Sequence, residues 1–479
     1  MSFNISTFQQ KIQSLKTYSL NKNHISILEK SLPSLDDWQL LRVNPISFGE
    51  VNGINEQESI DLFVHAAKVG IFDFRFNMIC PYCAGIVHSH QSLDEIGKDN
   101  FYCATCDLNS PSNLDDQVEV SFSISPSVKE LELDPYKDFE TYRRYNFSEN
   151  IQRSMPHQEL ASSLYKDFMI AKPDETVVQK FQATTGETYQ ICSIETNSSL
   201  FINFNEKEDR KNSSMISMTP SGISPRTLEL NSGEIELKLT NLTKSKIAVV
   251  LIKPNLKGIM QIVSEHPPKW KKFLTAKMLL NNQSFRDLFR IQHLSDSLSL
   301  NVRSLTIMFT DLRGSTEMYD KAGDLLAYQL VQEHFELLID SVRKYSGAIV
   351  KTMGDAIMAS FSNPRDGVLS SIEMFDRIDS MNRTWKEKGY QVGLKIGLNE
   401  GSALAVLNDE RLDYFGQSVN IAARVQGLAS AGEVWVSESV FASPEISTIL
   451  QEKGFQVEKQ IATLKGVGSP TVVYKCYSN

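Results

Sequence analysis

The sequence holds 479 residues, of which 41% are hydrophobic and 22% charged, with a formal net charge of −9. That length accommodates several cores, since one core rarely exceeds about 250 residues, and the composition excludes large-scale disorder. The acidic balance excludes broad electrostatic binding to nucleic acid or to an anionic membrane and leaves room only for a local basic patch.

No stretch approaches the ~20 consecutive apolar residues of a membrane span; the best run, Ile247 to Ile252, is strand-sized. The opening MSFNISTFQQKIQ has neither a basic leader nor an apolar signal core, so a cytoplasmic protein is expected, with no membrane span and no nucleic-acid partner. Four of the six cysteines form two CxxC pairs, which suits metal binding in a reducing cytosol better than a disulfide framework.

In chain order, residues 1–75 read as a helical region. In SIDLFVHAAKVG the residues Ile60, Phe63, Val64, Ala67 and Val69 make an imperfect helical face that Gly70 closes. Residues 76–173 form a zinc-ribbon-like region with flanking strands, among them VEVSFSISP (Val118 to Pro126), which alternates as a half-buried strand does. Residues 174–255 carry VVQKFQATTG, TYQICSIET, SLFINFN, GEIELKLTN and KIAVVLIKP, short β-branched runs expected to form a β-sandwich-like domain. Between them Glu206 to Met215 reads as a long exposed loop. Residues 256–300 are a helical linker or transducer, with one helical stretch expected from Trp270 to Arg290. Such a helix either carries conformational signals or spaces two domains.

Residues 301–479 alternate clearly. SLTIMFTDL is a buried strand, and a long helix follows with Val331, Phe335, Leu338 and Val342 at steps of four, three and four. AIVKTMGDAIMASF reads as two strands joined at Met353–Gly354; NPRDGVLSSIEMFDRIDSMN is a helix; VGLKIGLNEG and ALAVLN are two strands; GQSVNIAARVQGLA is a helix. The order β-α-β-β-α-β is that of a ferredoxin-like core. The whole chain is therefore expected to be multidomain α+β, with a C-terminal ferredoxin-like domain, an N-terminal helical and zinc-ribbon region, and a β-rich sandwich-like domain.

In such a sheet the first and third strands are antiparallel neighbours. Asp311, ending the first, and Asp355, opening the third, then arrive at one edge. Two close carboxylates repel unless a cation lies between them, and hard oxygen ligands suit Mg²⁺ or Mn²⁺. The pair is the usual support of two-metal phosphoryl transfer. The bland reading is an N-cap and a turn residue. LRGST, Leu312 to Thr316, turns from strand into helix, where the amides of Gly314, Ser315 and Thr316 can receive phosphate oxygens.

FTDLRGST, KTMGDAIMASF and DYFGQSVNIAAR resemble the metal, base-recognition and transition-state motifs of class III adenylate and guanylate cyclases, over about Ser304 to Tyr477. The resemblance implies an adenylate cyclase making 3′,5′-cyclic AMP and pyrophosphate from ATP, with two Mg²⁺ or Mn²⁺ ions per site, in a head-to-tail homodimer with composite sites. It implies that Asp311 and Asp355, with the Leu312 carbonyl, bind metal. Lys351 and Asp413 match the pair that reads adenine, a donor for N1 and an acceptor for N6; guanylate cyclases usually have Glu and Cys there. Asn420 and Arg424 match the ribose-orienting and transition-state residues, and their i, i+4 spacing sets both on one helical face. Lys465 matches a lysine that contacts the triphosphate. Lys395 stands where many members have a phosphate-binding arginine, keeping the charge without the bidentate fork. His334 reads as solvated or packed rather than catalytic.

Cys80, Cys83, Cys103 and Cys106, as CPYC–x19–CATC, suit a structural Zn²⁺ held by four thiolates. His88 and His90 are alternative ligands or solvent-exposed; Cys192 and Cys476 read as buried strand residues. GIFDFRFNMICPYC, the second CxxC, NLDDQVEVSF and FRDLF are similar to the regulatory region found before this cyclase type in bacteria. That likeness implies regulation by an unnamed ligand or protein; a scaffold that only fixes the dimer is the alternative. A nucleotide-binding pseudoenzyme would lack a metal aspartate, Asn420 or Arg424, and none is missing. A guanylate cyclase is opposed by Lys351 and Asp413, and a diguanylate cyclase by the absence of GG[DE]EF.

Overall fold

The computed structural model describes residues 3–91, 100–111, 117–207, 211–289, 300–314, 324–386, 391–408 and 411–478. Five helices open the chain: α1 Ile5–Leu15, α2 Lys22–Ser31, α3 Asp37–Leu41, α4 Pro45–Asn52 and α5 Glu56–Lys68. Each begins after an Asn or Asp (Asn4, Asn21, Asp36, Asn44, Asn55) whose side chain accepts an amide of the first turn, satisfying donors that the helix itself leaves free. On α1 the residues Phe8, Ile12 and Leu15 are buried as one stripe, and α5 buries Ile60, Phe63 and Val64.

These helices cover a sheet made from β1 Phe72–Ile79 and β2 Ile86–His90; β3 Asn100–Cys103 and β4 Leu108–Pro111 form a separate hairpin, and β5 Val118–Ile124 returns beside β1 in the order β2-β1-β5. The alternation in β5 pointed to one wet face, yet every residue of the strand is buried. Its polar side is satisfied from within: the Glu119 carboxylate accepts from Asn150 Nδ2 at 2.7 Å and from Asn77 Nδ2 at 3.1 Å, with Ser148 as a further donor. A buried carboxylate is tolerated only with such partners.

α6 Phe139–Asn146, β6 Ile151–Gln152 and α7 Met155–Leu164 lead into nine strands: β7 Tyr165–Ala171, β8 Thr176–Ala183, β9 Thr188–Ser193, β10 Ser198–Phe204, β11 Ser213–Thr219, β12 Gly222–Ser224, β13 Thr227–Leu230, β14 Gly233–Asn241 and β15 Ile247–Ile252. They form two sheets, β13-β10-β9-β15-β7 and β12-β11-β14-β8. Ile191, Leu200, Ile202 and Phe204 from the first pack with Leu237 and Leu239 from the second. The segment read as a loop to Met215 already enters β11 at Ser213, because parallel pairing with β14 supplies the ladder its polar side chains do not advertise.

α8 Leu256–Glu265 and β16 Lys269–Trp270, paired with β6, precede two short helices, α9 Ala276–Leu280 and α10 Gln283–Leu288. The single helix expected from Trp270 is thus broken. Thr275 Oγ1 accepts from Met278 N at 3.2 Å and Asn282 Oδ1 from Phe285 N at 2.8 Å. Side-chain caps of this kind compete with continuation of a helix.

The C-terminal part runs β17 Leu300–Arg313, α11 Asp324–Lys344, β18 Ala348–Met353, β19 Ala356–Phe361, α12 Pro364–Lys386, β20 Gly393–Asn408, β21 Arg411–Phe415, α13 Gln417–Gln426, β22 Glu433–Ser437, α14 Glu438–Phe441, α15 Ile446–Glu452, β23 Phe455–Ala462 and β24 Thr471–Ser478. The sheet order is β18-β19-β17-β20-β22-β24-β23, with β21 hairpinned onto β20. Its first four members have the 2-3-1-4 arrangement of a ferredoxin-like core. VGLKIGLNEG and ALAVLN are one strand rather than two, because β17 pairs with β20 from Arg313 opposite Gly393 to Leu300 opposite Ala405.

Met308, Ile357, Ala359, Phe361, Val368 and Ile396 fill the core beneath α11 and α12. On the other face Ile307, Phe309, Val350, Met358, Leu412 and Tyr414 join the core of the N-terminal helices. α13 crosses that face close to β20. A Cβ at Gly397 would collide with the Gln426 backbone, so only glycine allows the approach.

Candidate active site

The last rung between β17 and β19 pairs Phe309 with Met358. Thr310, 1% exposed, accepts the Ile357 amide at 3.2 Å and carries the contact one step further. Asp311 lies two residues beyond Phe309, and Asp355 lies three before Met358, in a turn where Gly354 adopts φ +66°. The hairpin therefore brings the two aspartates to one sheet edge. Leu312 buries its side chain in the core under α11 and α12, and Gly314 turns the chain with φ +89°. Ser315 and Thr316 lie outside the described residues.

Lys395 stands opposite Asp311 in the β17–β20 ladder, and its Nζ forms an ion pair with Asp311 Oδ2. Carboxylate oxygens at such an edge are hard donors of the kind that suit Mg²⁺ or Mn²⁺, and here the Lys395 ammonium neutralises Asp311.

On β18, four residues before Asp355, Lys351 Nζ donates to Asp413 Oδ2 at 2.7 Å. The lysine side chain is 40% exposed and the aspartate 7%. Asp413 Oδ1 also accepts the Tyr414 amide at 2.8 Å, which fixes the carboxylate on β21. A carboxylate offers about four acceptor positions, so two bonds leave capacity for a ligand donor. The pair combines a free ammonium face with a held acceptor, suited to a planar group that presents an acceptor beside a donor.

α13 turns Ile421, Ala422 and Val425 inward and leaves Asn420 and Arg424 exposed. Lys465 is exposed in the turn between β23 and β24, and its neighbour Leu464 packs with Val425, next to Arg424. The described side chains form two groups. Asp311 and Lys395, with Asp355 at the same edge, make one; Lys351 with Asp413 makes the other. No hydrogen bond or ion pair among the described residues joins them. His334 is packed, with 0% exposure, and burial pushes its ring down to about 4 against the opposing pull of Asp355.

The four thiols gather as the CxxC spacing requires: all four sulfur atoms lie within 4.8 Å of one another, with Cys80–Cys106 at 3.9 Å and Cys83–Cys103 at 3.7 Å. Tetrahedral zinc at ~2.3 Å from each sulfur sets the sulfurs about 3.8 Å apart, so the quartet fits that ion. Hydrogen bonds from Cys103, then Cys106 and Cys83, pull the Cys80 thiol down, while Cys103, Cys106 and Cys80 push the Cys83 thiol up. The first loop is knuckle-shaped, with Gly85 N reaching Cys83 Sγ at 3.3 Å and Ala84 held at φ 62°. His88 and His90 sit on β2, outside the quartet. The second loop touches the sandwich, where Gln190 Nε2 donates to the Ala104 carbonyl at 2.9 Å. Cys192 and Cys476 are buried in β9 and β24.

Sequence reasoning passed over Gln283 and Arg286, which touch β18 and β21. Arg286 Nη1 reaches the carbonyl of Leu412, far along the chain, at 3.0 Å, so no local pattern announced it.

Comparison with known proteins gives two family matches: "Adenylate and Guanylate cyclase catalytic domain" over residues 299–475, and "Family of unknown function (DUF5939)" over residues 5–287. The chain is 30% identical over 138 residues to the serine/threonine-protein kinase pkn2 of Myxococcus xanthus, covering 29% of this chain and 16% of that protein. It is 28% identical over 132 residues to adenylate cyclase 2 of Rhizobium meliloti, covering 25% and 36%. This chain thus spans well under two thirds of either relative. Among solved structures, the adenylyl cyclase CyaB from P. aeruginosa aligns at 22% identity and a TM-score of 0.33, over 38% of this chain and 97% of that one. Among the described residues no helix is long and apolar enough to cross a membrane.

Proposed function

The chain belongs to the family of unknown function DUF5939 and ends in a class III adenylate and guanylate cyclase catalytic domain; from that premise we propose that it is an adenylate cyclase, converting ATP to 3′,5′-cyclic AMP and pyrophosphate at a homodimer interface. The observation that carries the choice of ATP is the Lys351–Asp413 pair at 2.7 Å. Adenine offers an acceptor at N1, which the Lys351 ammonium meets, and a donor at N6, which Asp413 accepts. Guanine reverses both, and would set its O6 against a carboxylate that is only 7% exposed and poorly screened by water.

In the proposed reaction the ribose 3′-oxygen bonds to the α-phosphorus, the bond from that phosphorus to the α–β bridging oxygen breaks and releases pyrophosphate, and the 3′-hydroxyl proton is released. Mg²⁺ or Mn²⁺, held by Asp311, Asp355 and the Leu312 carbonyl, supplies Lewis acidity at the 3′-hydroxyl and the phosphates when bound. Asn420 orients the ribose. Arg424, exposed one turn along the same helix face, stabilises charge on the α-phosphate as it becomes five-coordinate. Lys465, the Gly314 amide and Lys395 hold phosphate oxygens, and Lys395, paired with Asp311 here, would have to release it for Asp311 to hold a metal. The match to the cyclase catalytic domain supports a head-to-tail homodimer, in which the metal edge of one protomer works with the base-reading pair and α13 of the other.

The cysteine quartet is read as a structural Zn²⁺ site, since four thiolates close the coordination shell and leave no position for substrate. It ties β1 to the hairpin that touches the sandwich, which gives the N-terminal part a rigid frame for regulation. Full-length protein with Mn²⁺ and ATP is expected to yield cyclic AMP and pyrophosphate in equal amounts, more per protomer as concentration favours the dimer, and Asp311→Asn is expected to abolish the product. ATP binding without product at any protein concentration overturns the reading.

A further inference from the structure

The two strands that bear the Lys351–Asp413 pair share no ladder: β18 pairs with β19, and β21 with β20. One short helix from the N-terminal part touches both. Gln283 Oε1 on α10 accepts the Ile349 amide at 2.7 Å, at the start of the register shift between Ile349 and Lys351 where β18 bulges. A bulge frees a ladder group and re-aims the side chains that follow it. Here Gln283 holds the backbone where the shift begins, and Lys351 is the first residue back in register after it.

Three residues later, on the same helical face, Arg286 Nη1 donates to the Leu412 carbonyl at 3.0 Å, and its guanidinium lies 5.4 Å from the centre of the Tyr414 ring. Leu412 and Tyr414 flank Asp413. Arg286 is braced from behind, with Nε donating to the Leu280 carbonyl at 2.7 Å. Two side chains of one helix thus hold the backbone on both sides of the pair.

α10 has six residues, too few to be helical alone, so its position is set by what it is anchored to. Asn282 Nδ2 donates to Asp61 Oδ1 of α5 at 2.8 Å, and Lys68 Nζ to the Leu288 carbonyl at 2.7 Å. Phe285 and Phe289 pack on Phe74 of β1, with ring centres 5.7 and 5.2 Å away. β1 is the strand that runs directly into Cys80. A displacement of the N-terminal helices or of the cysteine knuckle therefore reaches β18 and β21 through α10.

We propose that Gln283 and Arg286 are positioning residues that set the spacing of Lys351 and Asp413, so that the N-terminal part governs how well the base is read rather than how fast the bond forms. This rests on the reading of Lys351 and Asp413 as the base-reading pair. A hydrogen bond depends on the distance and angle at which its partners meet, so a shift of β18 or β21 changes how the pair meets the base. Asp355, by contrast, lies six residues beyond Ile349 in the hairpin turn, and among the described residues α10 makes no hydrogen bond or ion pair with Asp311, Asp355 or Lys395.

The test uses the full chain. Arg286→Ala and Gln283→Met are compared with wild type in KM and kcat for ATP and for GTP, with Mn²⁺. Loss of one hydrogen bond to a charged group is expected to raise KM for ATP about tenfold in Arg286→Ala, with a smaller rise in Gln283→Met. In both variants kcat stays within about threefold, and the ATP-to-GTP ratio of kcat/KM falls with KM. Arg286→Lys, which keeps the charge and one donor, recovers part of the ratio. Gln283→Met preserves side-chain length, so the test survives if Arg286→Ala does not fold. An unchanged ratio, with ATP and GTP falling together or kcat falling alone, overturns the proposal. A wild-type enzyme that prefers GTP or makes no cyclic AMP overturns the assignment of the pair itself.

Discussion

Replacing Asp413 by Ala removes one acceptor from the proposed base-reading pair and little else. The carboxylate makes two bonds, to Lys351 at 2.7 Å and to its neighbour's amide at 2.8 Å, and is 7% exposed. Its partner Lys351 is 40% exposed, so water solvates the orphaned ammonium and the variant does not bury an uncompensated charge. What is lost toward substrate is one charge-assisted bond to adenine N6, about 1.5–3 kcal/mol, which is about 10- to 150-fold in kcat/KM for ATP. GTP gains, because the carboxylate that faces guanine O6 is gone. The ATP-to-GTP ratio therefore narrows by more than the loss with ATP alone. Initial rates of cyclic AMP and cyclic GMP formation by the full chain, at saturating Mn²⁺, give both values. A parallel fall with the two nucleotides would refute the argument and leave Asp413 as a structural anchor for β21.

Two further outcomes follow from the N-terminal half. The protein should contain one zinc per chain by metal analysis, and Cys103→Ser should lose it and lower the unfolding temperature, because a structural site contributes its binding energy to folding; full stability without zinc would remove the site. In the sandwich, Lys253 beside Glu187 at 2.5 Å, together with the Thr184 amide, holds the Glu187 carboxyl down at about 2. A lowered carboxylate stabilises the folded state above its unfolded value near 4.5 and ceases to do so as pH falls toward 2. Glu187→Gln should thus be less stable than wild type at pH 7, with the difference closing across that acid window in denaturant titrations; a gap that persists at pH 2 would contradict this linkage.

Much of the candidate site was legible because its determinants are short-range. Asn420 and Arg424 share a face through helical periodicity alone, and the two CxxC knuckles close over a few residues each. The meeting of Asp311 with the turn of Asp355 followed from strand order, since antiparallel neighbours join the end of one to the start of the next. Elsewhere local signals misled. Alternation in β5 gave the right strand but hid its buried carboxylate, because Asn77, Ser148 and Asn150 come from other elements. Helical periodicity from Trp270 onward ignored Thr275 and Asn282, which cap two helices in place of one.

Residue chemistry and local spacing, both carried by the chain itself, determined the candidate acids, the α13 face and the thiols, while the pairing of Lys351 with Asp413 was implied by resemblance to the class III cyclases. Tertiary register alone decided that Lys395 faces Asp311, that β20 runs unbroken beside β17, and that α10 braces β18 and β21. The reason is physical: such contacts join segments far apart in sequence, and their free energy depends on which surfaces packing brings together, a quantity no window of neighbouring residues contains.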